Sequence, residues 1–151
     1  MKISFYKSIS QPFDKTQIEI ESAFDRIRGN NYKDLIEGMR KSYPSEDYDK
    51  AKVKLPVYRF SGIFDSGTDK GIIEHSGLIC LDFDKLENVE EYREYLISNK
   101  HTYSCFLSPS GKGFKVLVKI PKSVENHKSH FRALEKEYGS EYWDASSVNI
   151  S

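Results

Sequence analysis

The chain reads as an α+β protein: an antiparallel or mixed sheet with helices packed on one face, preceded by N-terminal helices. Three observations predict this. The apolar run Leu78-Ile79-Cys80-Leu81 ends in Asp82-Phe83-Asp84, as a buried strand with a polar exit does. Thr102 to Leu107 and Phe114 to Ile120 flank a turn rich in Ser and Gly, and the second flank alternates apolar with basic residues. Helix-period segments with N-cap signals follow each of these strand regions. The central order is therefore strand, strand, helix, strand, strand, helix, which suits a sheet with helices layered against it.

Residues 1–10 read as a short strand and a lead-in. Asp14 and Gln17 form a capping-box pattern that predicts a helix to about Arg28, with Ile20, Phe24 and Ile27 as its apolar stripe. Gly29-Asn30-Asn31 stops it. A second helix is predicted from Tyr32 to Ser42, ahead of Pro44. Pro56 opens a strand from Val57 to Ser61, and Phe64 to Gly71 is a polar, turn-rich connection. Asn88 and Glu91 cap a helix to about Ser98 that buries Val89, Tyr92 and Leu96. Ser123 caps a last helix with Phe131, Leu134 and Tyr138 inward and Gly139 at its end. Residues 1–151 are read as one domain, with a mainly helical part at 1–54 and a motif-bearing sheet core at 55–151. The stop at Ser151, seven residues past Asp144, reads as a truncation.

With 151 residues, 38% hydrophobic and 30% charged, the chain is long enough to bury a core. It has no apolar run of membrane-spanning length and no signal-peptide pattern at Met1-Lys2-Ile3-Ser4-Phe5. Cys80 and Cys105 both fall in predicted strands, so they read as reduced, buried thiols, which suits the cytoplasm. His127 and His130 stand at helical i, i+3 spacing without an evident third ligand and read as exposed helix residues. Net charge is zero, so binding of nucleic acid would have to come from a local basic face. Lys112, Lys115 and Lys119, with Lys50, Lys52 and Lys54, are the candidates, although such runs are commonly solvated surface.

Three motifs carry chemistry. Side chains alternate along a strand, so Asp82 and Asp84 share one face while Leu81 and Phe83 face the core. Two carboxylates roughly 7 Å apart at their Cα atoms repel unless a cation sits between them, and hard divalent cations take oxygen ligands. The plainer reading is an acidic strand end opening a solvated turn. The hairpin Ser108-Pro109-Ser110-Gly111-Lys112-Gly113-Phe114-Lys115 can gather backbone N–H groups and lysines around a phosphate. It is not a Walker A loop, since a strand follows where that motif needs a helix. The plainer reading is ordinary turn chemistry. Tyr142-Trp143-Asp144 adds a third acid behind two aromatics.

In that order the motifs resemble the archaeo-eukaryotic primase-polymerase superfamily, and more closely the virulence-associated-protein-E N-terminal-domain family of bacterial mobile elements. The resemblance rests on Leu55 to Phe64, on His75-Ser76-Gly77-Leu78-Ile79-Cys80-Leu81-Asp82-Phe83-Asp84 and on Ser108 to Lys115, and covers about residues 55 to 151. Lys115 stands where many relatives carry a phosphate-contacting His. The resemblance implies an RRM-like core and a downstream helicase-type domain in a mobile-element or phage-type replication protein.

The function expected is nucleotidyl transfer on nucleoside triphosphates along single-stranded or primed DNA. Asp82, Asp84 and Asp144 would be catalytic and would hold one or two Mg²⁺ or Mn²⁺ ions. Ser108, Ser110, Gly111, Lys112, Gly113 and Lys115 would hold the triphosphate. The alternatives are a non-catalytic nucleic-acid-binding module of the same fold and a metal-dependent nuclease.

Overall fold

The computed structural model describes residues 1–10, 15–66, 68–139 and 141–148. Among these it is an α+β protein with five α-helices and three antiparallel sheets.

The sheet that carries the motifs is built from β6 (Leu78–Phe83), β7 (Thr102–Leu107) and β8 (Phe114–Lys119), in the order β6-β8-β7. The central strand β8 is antiparallel to both neighbours. Helix α4 (Val89–Ser98) crosses from β6 to β7, and α5 (His127–Tyr138) follows β8. Both helices cover one face. Ile79, Leu81, Phe83, Val116 and Val118 point there and pack with Leu96 of α4 and Phe131, Leu134 and Tyr138 of α5. The alternation read from the sequence produces this burial: each apolar side chain of β6 at odd positions is lost from water, worth roughly 1.5–3 kcal/mol apiece. The α4 cap expected at Asn88 and Glu91 is present. Asn88 Oδ1 accepts from the Glu91 N–H at 3.2 Å, and Asn88 Nδ2 donates to Glu91 Oε2 at 2.9 Å.

The expectation of an open opposite face needs correction. Leu78 and Leu117 are buried there against Ile3, Ile20, Ala23 and Phe60. These come from β1 (Lys2–Tyr6), α1 (Ile20–Arg28) and the residue after β3 (Val57–Arg59). Helices therefore lie on both sides of the sheet. The strand β2 (Lys15–Glu19) pairs with β1, and β1 with β3, in a second sheet. Of the capping box expected at Asp14 and Gln17, Asp14 lies outside the described residues. Gln17 pairs opposite Ser4 in β2, and the helix starts only at Ile20. Pairing with β1 decides the conformation here, over the local helix signal.

Helices α2 (Lys33–Ser42) and α3 (Glu46–Lys52) form a small unit around Met39, Tyr48 and Leu55. The expected second helix is α2; α3 was not read from the sequence. It opens on Ser45, whose hydroxyl accepts the Tyr48 N–H at 3.2 Å. The polar connection after Phe64 also hides structure. Strand β4 (Gly62–Phe64) pairs with β5 (Ile72–His75), with a 3-10 turn at Asp69–Gly71 between them. No helix of the described residues is long and apolar enough to cross a membrane.

Candidate functional site

One end of β6 and the hairpin between β7 and β8 meet at the floor of a cleft of about 720 Å³. Its far wall comes from α1, α2, α3 and the strand β3, so the N-terminal third closes a site that the sheet opens.

Asp82 lies directly opposite Lys115 across the β6–β8 ladder, and the two side chains form an ion pair. This follows from the alternation that puts both on the polar face. Burial pulls the Lys115 ammonium down, but Cys80, Asp82 and Asp84 around it outweigh that and lift it above its ordinary value. Asp144 reaches the same place through the backbone. Trp143 forms an antiparallel bridge with Phe83, with the Asp144 N–H donating to the Asp82 carbonyl and the Asp84 N–H to the Tyr142 carbonyl, both at 2.9 Å. Phe83 and Trp143 then share the helix face, where their rings meet edge-on at 5.4 Å. One residue along, Asp82 and Asp144 fall on the cleft face. Asp84 completes the group. Burial, then the charges of Asp82 and Asp144, hold its carboxyl above the usual carboxylate value, against Lys115 and Lys52.

The hairpin is fastened to this acid end. Lys85 turns the chain after Asp84 with φ 59°, and the Leu86 N–H donates to the Lys112 carbonyl at 2.9 Å. A Cβ on Gly113 would stand 2.4 Å from the Phe83 carbonyl oxygen and 2.6 Å from Asp84 Oδ1, so only glycine fits. Ser108 and Ser110 join hydroxyls at 2.9 Å, and Ser110 also accepts the Lys112 N–H at 3.2 Å. The Gly111 N–H closes the turn onto the Ser108 carbonyl at 3.0 Å, so the turn itself uses that donor. Lys112 is exposed at the tip.

Arg40 and Tyr48, which no sequence pattern marked, reach the hairpin from the other wall, joined there by Lys52 of the basic run. Arg40 of α2 donates to the Ser108 carbonyl at 3.5 Å, and Tyr48 of α3 lines the cleft beside Ser110. Lys52, at the end of α3, faces Asp84. Tyr58, Phe60 and Phe106 form an aromatic strip along the cleft, with Tyr58–Phe60 and Phe60–Phe106 centroids each 5.8 Å apart. Arg26, Arg28, Arg40, Lys52 and Lys115 line the cleft against Asp82, Asp84 and Asp144, while the Arg59 guanidinium is turned away onto the Phe64 ring and the Ser66 carbonyl. A chain of zero net charge thus has a cationic cleft. No local motif marks Arg26, Arg28 and Arg40, because the cleft is assembled from separate elements.

The donor chemistry suits a hard divalent cation, and crowded Asp84 is the acid that such an ion would relieve. As the side chains stand, however, no group of three His, Cys, Asp or Glu among the described residues is arranged to hold a metal. Asp82 already has Lys115 as its counter-cation.

The fold and the cleft define a small α+β domain with an acidic pair set in a basic, aromatic-walled groove. The chain matches the family model of the BT4734-like N-terminal domain over residues 50–149 and belongs to that family. This corrects the resemblance to the primase-polymerase superfamily and to the virulence-associated-protein-E N-terminal-domain family. That resemblance rested on short motifs, and strand alternation and turn chemistry produce Asp-x-Asp exits and Ser-Gly hairpins in unrelated proteins. The helicase-type domain and mobile-element setting rested on it alone. No curated protein and no solved structure is similar enough to the chain to be matched with it.

Proposed function

We propose that the cleft binds a nucleoside triphosphate at its acidic end and serves nucleotidyl transfer on DNA in the cytoplasm. The observation that carries this reading is the convergence of Asp82, Asp84 and Asp144, from two separate segments, beside Lys115 and the Ser108–Lys115 hairpin. Asp82, Asp84 and Asp144 would hold Mg²⁺ or Mn²⁺, which would supply stabilisation of charge on the phosphates. Lys115, Ser108, Ser110 and Lys112 would bind the triphosphate oxygens, with Arg40 and Lys52 nearby. Lys115 would exchange its partner, giving up Asp82 for phosphate as the cation replaces it. An RRM-like core belongs to this reading. The β6-α4-β7-β8-α5 order, with residues 142–144 beside β6, supports it.

Calorimetry with Mn²⁺, alone and with a nucleoside triphosphate, tests it on wild type and Asp82→Asn/Asp84→Asn. Wild type should bind both ligands together, and the variant should lose the metal-dependent part. Equal binding by the two proteins would sink the metal assignment.

One observation favours a second reading, a metal-free module for single-stranded nucleic acid. Half-buried Tyr58 and Phe106, braced by buried Phe60, and the arginines of the cleft are what such a strand stacks and pairs on, and Asp82 is already neutralised by Lys115. Labelled single strands without nucleotide would then bind, and Asp82→Asn would not weaken them. Primer extension and strand shortening with Mn²⁺ separate synthesis from nuclease action.

A further inference from the structure

A second cavity, of about 520 Å³, opens on the helix side of the β6-β8-β7 sheet, away from the cleft. It lies between the start of α4 and the chain leaving α5. Tyrosines form its walls: Tyr92 and Tyr95 from α4, Tyr138 at the end of α5, and Tyr142 beyond it. The Tyr92 and Tyr142 rings meet at 80° with centroids 5.1 Å apart, and Tyr95 lies 5.3 Å from Tyr92 at 42°. The rings meet at an angle, edge to face, and not as a flat stack. They are also held in place, since the Tyr95 hydroxyl donates to the Tyr138 carbonyl at 2.9 Å and Tyr92 rests on Phe83.

Three carboxylates, Glu87, Glu91 and Glu141, rim the hollow, and no lysine or arginine is among the residues described as lining it. Acids alone would be a solvated rim, and Glu91 also serves the α4 cap. The angled ring faces beneath them are an independent feature with its own chemistry. Ring faces carry negative quadrupole and attract cations, most strongly those too large to be tightly hydrated. Tyr92 remains a neutral phenol at physiological pH. Burial first, then Tyr95, Glu141 and Tyr142, push Tyr92 up to about 12.

We propose that this cavity binds an organic cation, an alkylammonium or guanidinium group, with the tyrosine faces against its polarised carbons and the three glutamates balancing its charge. The site is independent of the cleft reading.

Choline and its neutral carbon isostere, 3,3-dimethylbutan-1-ol, are the probes, titrated by calorimetry into the full chain. Choline should bind, and the alcohol at least about tenfold more weakly. Glu87→Gln/Glu141→Gln, both exposed positions, and Tyr95→Ala should each weaken choline by about tenfold or more. If Tyr95→Ala fails to fold by circular dichroism, the glutamine variant decides alone. Asp82→Asn/Asp84→Asn should bind choline as wild type does, which keeps this result separate from the cleft. No choline binding, equal binding of the alcohol, or unchanged affinity in the glutamine variant overturns the proposal. Spermidine and a lysine-bearing peptide, with and without methylated ammonium groups, then identify the source. A preference for spermidine assigns a free polyamine, and a preference for the peptide assigns a protein side chain.

Discussion

Lys115 is the residue on which the cleft turns. Its side chain is a third exposed and its partner Asp82 a quarter, so their pair is worth less than a fully buried one. Lys115→Ala should cost about 0.5–1 kcal/mol of stability by urea unfolding, because Asp82 is left beside Asp84 without a counter-cation. It should weaken triphosphate binding with Mn²⁺ by about 1.5–3 kcal/mol. Adding Asp82→Asn should restore the stability and leave the binding lost. Asp84 predicts the opposite sign. Its raised carboxyl means that the folded state holds a proton the unfolded chain has released, so stability declines as pH rises from 3.8 through the folded value. Asp84→Asn should therefore be more stable than wild type at pH 7, by no more than about 0.5–1 kcal/mol after solvent screening, with the gain gone below pH 3.8. A less stable variant at pH 7 would mean that Asp84 has a partner that the like charges around it do not reveal.

The hairpin joining β7 and β8 works as an element because its backbone lies against β6. Gly113 is the contact point, with the Phe83 carbonyl on one side and Asp84 on the other. Gly113→Ala should destabilise by about 1–3 kcal/mol, since a backbone oxygen cannot step aside as a flexible side chain would. Thermal unfolding measures this, and nucleotide affinity should drop with it because the clash moves the hairpin off the acid end. Gly111 makes a comparison: a Cβ there meets the Arg40 side chain at 3.2 Å, which can give way, but φ is +72°. Gly111→Ala should cost about 1 kcal/mol through backbone strain and spare the acid end. Equal losses of binding in the two variants would argue that the hairpin's position against β6 does not matter.

Across the whole molecule, a buried histidine pair joins the start of α5 to the end of β5. His127, expected as an exposed helix residue, is 2% exposed at the start of α5. Its Nδ1 lies 3.0 Å from Nε2 of His75, which ends β5 and is 6% exposed. His75 Nδ1 accepts the Gly77 N–H at 2.9 Å, so its Nε2 carries the proton and donates to His127. Neither ring can gain a proton without losing a bond. Burial, then His75, holds His127 down to about 4, and burial lowers His75 as well. The unfolded chain protonates first as pH falls, so stability is complete above pH 6.5 and is lost between 6.5 and 4, by up to about 3 kcal/mol from His127. Urea unfolding across that window should show the loss, and His127→Gln should flatten it. A wild-type profile flat from pH 6.5 to 4.5 would contradict the neutral buried pair.

By itself the sequence determined the strand run at 78–81, the strands at 102–107 and 114–120 to within two residues of their observed ends, the α4 cap, the Gly139 stop and the alternation that sends Asp82 away from the core. These depend on contacts within a few residues or on period-two alternation, both of which the chain carries locally. The tertiary structure alone decided the rest. Gln17 has a helix-start pattern but a strand partner in Ser4. His127 has a helical neighbour in sequence but a buried partner 52 residues away. Asp144 joins Asp82 through a bridge that no spacing implies, and Arg40 and Tyr48 reach the hairpin, and Lys52 the acid end, from helices far earlier in the chain. The physical reason is common to all four. Alternation and caps are enforced by the backbone's own geometry, whereas partners brought from distant segments are chosen by the burial of the whole core, which no local pattern records.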